Sequence, residues 1–155
     1  MMRAGLIFAA LLAASSAAAQ LPGSPAVVRP HAFSSTPVTD ITPGSTVYLS
    51  IDGADLSTTQ SKVAQRLNAT VLRRARVTLP TAPGAGETVT LTAQTGTCGT
   101  ALADSTLVVT VSGTSTTADD LTHSITVPDG NCAVWKATYS AGAAASAPHA
   151  HVAAF

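Results

Sequence analysis

The chain has 155 residues, enough for one domain, and its 8 Lys+Arg balance its 8 Asp+Glu, so no net field draws it to nucleic acid or an anionic membrane. Charged residues make up only 10% of it and Glu87 is the sole glutamate, which argues against a charge-rich disordered tail and most polar enzyme designs. The apolar fraction of 46% comes with only 4% aromatics, so small side chains, alanine above all, supply it.

The elements follow in chain order. Met1 to Arg3 is a short positive start, Ala4 to Ala14 an apolar run, and Ser15 to Ala19 a small-residue exit. These are the three parts of a secretory signal peptide, with cleavage expected after Ala19. The apolar run is too short for a spanning helix, which needs about 20 residues. Cleavage leaves 136 residues with seven basic and eight acidic side chains, and no later stretch reads as a membrane span.

Residues 20–44 contain Pro22, Pro25, Pro30, Pro37 and Pro43 among many Ser and Thr. Proline fixes φ and removes donors, so this stretch reads as an extended arm rather than a helix or central strand. Ala26-Val27-Val28 and Ala32-Phe33 within it are apolar enough to lie on a surface.

From Ser45 the pattern changes to alternation. Val47, Leu49 and Ile51 share one face of Thr46–Asp52. Glu87–Ala93, Leu107–Val111, Leu121–Val127 and Ala133–Tyr139 read as further strands. Gly/Pro/Ser/Thr clusters break the chain between them, and threonine suits a pleated surface. Residues 45–140 therefore predict a small antiparallel all-β sandwich.

Residues 55–79 read two ways. Ser57 can cap a helix, and Val63, Leu67, Val71 and Ala75 fall at i, i+4, i+8 and i+12. Alternation at Thr70–Leu72 and Arg76–Leu79 argues for strands. The expectation is a short helix near 58–68 and a strand over 74–79. Residues 141–155 are alanine-rich and lack bulky apolar periodicity, so they predict a flexible or partner-docked tail.

Cys98 and Cys132 are the only cysteines. In an exported chain an isolated pair forms a disulfide, and two cysteines are too few for a structural zinc site. Such a bridge contributes about 3–4 kcal/mol by loop-closure entropy.

Two stretches carry a resemblance: Arg76–Leu91, with Val-Thr-Leu-Pro followed by Gly and Val-Thr-Leu, and His123–Trp135, with Ile-Thr-Val-Pro-Asp-Gly. Over residues 74–140 the pattern is similar to bacterial surface immunoglobulin-like domains. The resemblance implies an antiparallel immunoglobulin-like sandwich in an extracellular setting and carries no catalytic residues.

Several constellations bear on chemistry. His149 and His151 alternate as two metal ligands on one strand face would, but two ligands make a weak site. Asp119, His123 and a serine can be assembled on paper as a hydrolase triad, yet no G-x-S-x-G elbow is present. Asp52 and Asp55 miss the spacing of a calcium loop and fit turn chemistry. No catalytic, metal or cofactor site is expected. Lys62, Arg66, Arg73, Arg74 and Arg76 gather five of the seven basic charges of the processed chain within fifteen residues. On a helix Lys62, Arg66 and Arg73 would share one side, as a contact for an acidic partner or anionic glycan or simply as a solvated face.

The composition therefore predicts a non-enzymatic secreted, surface or periplasmic structural subunit with protein partners. Fibre growth would proceed by strand addition from the arm. The alternative is a monomeric surface or periplasmic module that binds glycan or protein.

Overall fold

The computed structural model describes residues 41–154 apart from 53 and 54. The expected signal peptide and nearly all of the proline-rich arm lie outside the described residues. In chain order the elements are β1 (Thr46–Ser50), β2 (Leu56–Ser57), α1 (Gln60–Val63), β3 (Gln65–Arg66), β4 (Thr70–Thr78), β5 (Gly84–Gly96), β6 (Ala103–Gly113), β7 (Thr117–Val127), β8 (Cys132–Tyr139) and β9 (His149–Ala154). The first sheet runs β2-β1-β8-β5-β6, with β3 also on β8, and the second runs β7-β4-β9. Every pairing is antiparallel.

The period-two side-chain pattern explains why these strands stack as a sandwich. Val47 and Leu49, Val89, Leu91 and Ala93, Val109 and Val111, and Trp135, Ala137 and Tyr139 are buried from the first sheet. Leu72, Ala75, Val77, Val127, Ala150 and Val152 are buried from the second, in the same core. A smaller cluster of Val63, Leu102, Cys132 and Val134, with Tyr48 and Ala64 packed on it, covers the outer face of β8. One half of β8 is thus buried on both faces, which is why Cys132 through Trp135 are all buried in sequence.

The fold is the expected small all-β sandwich with one disulfide, Cys98–Cys132. Three boundaries differ. The short helix is confined to Gln60–Val63, because residues 65–66 pair with β8 and residues 70–78 extend as β4. The core begins earlier than residue 45, since Ile41 is buried in it. The alanine-rich tail is not wholly flexible: His149–Ala154 form β9, pairing Ala154 with Leu72 and His149 with Thr78. Its small inward residues, Ala150 and Val152, suffice because β4 supplies the bulk of Leu72 and Val77 beside them.

Candidate interaction site

The two sheets are unequal in width, and β7 lies against β6 at one side. The second sheet therefore stops short of β1 and β2 at the other side. Near the start of β1 this space is filled by Ile41 and by residues 143–148. There the buried Tyr139 hydroxyl donates to the Ser146 carbonyl at 2.8 Å, and burial pushes the phenol up from its ordinary value. Beyond the end of β1 the space is an open groove of about 480 Å³. Ile51, Leu67, Leu72, Val152 and Ala154 give it apolar walls, and Asp52, Gln65, Asn68 and Thr70 rim it. The Asp52 carboxylate accepts from the Ser50 hydroxyl and from the Gln65 side chain, both at 2.5 Å, so its oxygens serve the turn. The Asp55 N–H donates to the same Ser50 hydroxyl at 3.0 Å, so one serine links both aspartates at this turn.

One long side of β9 borders this groove. Its other side pairs with β4, and among the described residues no second strand pairs with it. A sheet edge of this kind is a template on which a strand can be added.

The disulfide anchors the groove from behind. The Leu67 N–H donates to the Asn131 carbonyl at 2.9 Å, and the Gly130 N–H donates to the Leu67 carbonyl at 3.0 Å. Cys132 follows at once and is tied to Cys98. On the outer face of the first sheet a polar chain locks α1 in place. The Gln60 amide donates to Gln94 at 2.6 Å, the Gln94 amide donates to Asp104 at 2.6 Å, and Lys136 donates to Asp104 at 2.7 Å. Hydrogen bonds from Lys136 and then Gln94 hold the Asp104 carboxyl below its usual range.

The five basic residues do not share a helix side. Lys62 is on α1, Arg66 on β3, and Arg73, Arg74 and Arg76 on β4, all exposed. The structure gathers only the three arginines of β4, on the second sheet. Arg76 faces Asp119 at 3.4 Å.

Asp119 is therefore committed to Arg76, and His123 instead meets Asp120, whose carboxylate lies 2.9 Å from His123 Nδ1. The imagined Asp119–His123 arrangement is not formed. Asp120 is buried and also accepts the backbone N–H groups of Val108, Thr122 and His123. Burial alone would raise its pKa, but these hydrogen bonds outweigh it and bring the group down to about 2. His149 and His151 stand two apart on β9, and no cluster of three metal-ligating side chains occurs among the described residues.

Sequence reasoning missed β9, the buried role of Asp120, and the irregularity at Arg74. The Asp-x-Thr-His run was the available signal for Asp120, since aspartate readily binds backbone N–H groups two and three residues on. Among the described residues no helix is long and apolar enough to cross a membrane. Comparison with protein-family models, curated proteins and solved structures finds no match to this chain.

Proposed function

We propose that this protein is a non-enzymatic structural subunit of an extracellular or periplasmic assembly, built by strand addition. The observation that carries the reading is the outer side of β9, bordered by an apolar groove. The strand we assign to it is Ala26–Phe33 of a neighbouring copy. In extended form Ala26, Val28, Pro30 and Ala32 fall on one face, small and apolar enough for the groove. Pro30 lacks an N–H, which an added outermost strand tolerates on its solvent side. A copy that lends its arm to the next makes a heterologous contact, and such contacts propagate. The disulfide supports an oxidising compartment. The similarity to bacterial surface immunoglobulin-like domains, a pattern in the sequence, supports the same setting.

The test is negative-stain microscopy of the protein purified from an expressing host, across a concentration series, with and without residues 20–35. Filaments or regular oligomers that vanish on deletion support the reading. Assembly that survives deletion, or monomers at every concentration, overturns it.

A further inference from the structure

The described residues begin inside the gap that the groove continues. Ile41 is buried in the main core near the start of β1, and the groove opens past the end of that strand, at Ile51. β9 runs the same way. His149 pairs with Thr78 at its start, and Val152 and Ala154 line the groove toward its end. A segment that leads from the groove into Ile41 therefore runs opposite to β9, and every pairing in this fold is antiparallel.

The sequence before Ile41 supplies such a segment. In an extended chain, residues an even number apart share a face. Phe33 stands eight residues before Ile41, with Ser35, Pro37 and Thr39 between them on that face. Eight extended residues span about 26 Å, while β1 and the step past its end take about 15–20 Å, so Phe33 reaches the groove. It is the only aromatic side chain in residues 20–47, and the walls that await it are Ile51, Leu67, Leu72 and Val152. Pro37 has no N–H, which an outermost strand tolerates where the proline nitrogen faces away from its neighbour.

We infer that in the unassembled chain its own residues 33–40 lie along β9, with Phe33 seated in the groove. The inference rests on the groove being the strand-accepting site proposed above, and it adds how that site is regulated. A neighbour's arm must displace a tethered segment whose effective concentration is on the order of millimolar. Dilute chains thus stay apart, and assembly is an exchange of arms between copies, a form of domain swapping.

The experiment is amide hydrogen exchange on chains kept dilute enough to elute as monomers. The full chain, a chain lacking residues 20–35 and the full-length F33S variant are compared, with Val109 on β6 as the reference for global stability. The β9 amides of the full chain are expected to exchange at least tenfold more slowly than those of the shortened chain, with F33S close to the shortened chain, the scale of burying one aromatic ring. Val109 is expected to change less than twofold. The inference is overturned by β9 amides that exchange alike in all three chains, or by acceleration at Val109 equal to that at β9. Protection of β9 that appears only in assembled fractions also overturns it, because a neighbour's arm alone then fills the groove, and the assembly reading survives. Protection in monomers that never assemble supports the inference and removes the assembly reading instead.

Discussion

The Asp120 carboxylate on β7 accepts the backbone N–H of Val108 on β6 at 3.2 Å, and so joins the outer strands of the two sheets. β6 ends the first sheet and β7 ends the second, and the chain crosses between them through residues 114–116. A buried carboxylate is costly unless its oxygens are satisfied. Here backbone donors from Val108, Thr122 and His123 satisfy them, together with the Thr122 hydroxyl at 3.1 Å.

This arrangement predicts an acid-sensitive fold. The folded pKa of Asp120, about 2, lies below its ordinary value of 3.8. Its contribution is therefore complete above the ordinary value and is lost as pH falls through about 2. Asp120→Asn is expected to cost about 2 kcal/mol at pH 7 and to flatten the decline between pH 5 and 2. Urea unfolding followed by Trp135 fluorescence checks both, and an acid slope identical in variant and parent would refute the assignment.

Replacing Cys98 and Cys132 by serine is expected to lower stability by about 3–4 kcal/mol, from the 34-residue separation they close. Because the bridge backs the segment 65–68, hydrogen exchange at Leu67 and Asn68 should accelerate before that of Leu91 or Val109. Uniform acceleration across the sandwich would show that the bridge has no local role.

Arg74 occupies a backbone conformation suited to glycine. Arg74→Gly is expected to stabilise the protein by about 0.5 kcal/mol, the relief of left-handed strain less the entropy of glycine. Arg74→Val is expected to destabilise it by about 1–2 kcal/mol, since a branched Cβ fits that region worst. Thermal melts of the two variants should move in opposite directions.

Truncation after Pro148 is expected to remove β9 and expose Leu72 and Val77 of the strand beside it. The loss should be about 3–5 kcal/mol, the scale of deleting a large core side chain. It should be accompanied by binding of a hydrophobic dye. A truncated chain that melts like the parent would show that residues 149–154 are not part of the cooperative fold.

The strands with strict alternation were legible: Val47 and Leu49, Val89 and Leu91, and Ile125 and Val127 mark β1, β5 and β7 without help from tertiary contacts. The helical stripe over 63–75 misled for a definite reason. Val63, Leu67, Val71 and Ala75 fall on α1, a loop and β4, and within β4 it is Leu72, not Val71, that is buried with Ala75. β9 was hidden because Ala150 and Val152 are small, and their inward role depends on β4, which pairs with it from far back in the chain, Leu72 with Ala154 and Thr78 with His149. The basic residues were visible as a run, but only the register shift at Arg74 decides which of them share a surface. The β9 edge and its groove could not be read at all, since they arise from the unequal widths of two sheets.

The position of β8 at the centre of the first sheet shapes how the chain folds. Thr138 on β8 pairs with Thr46 on one flank and Thr90 on the other. β5 and β6 can form a hairpin from neighbouring sequence, but β1 has no long partner until β8 exists. The earliest strand thus waits unpaired for one of the latest, and closure entropy must be met across most of the domain before the core rewards it. Such a topology folds in milliseconds to seconds rather than microseconds and leaves the chain open while it waits. Most of the domain must therefore be synthesised before the first sheet can close.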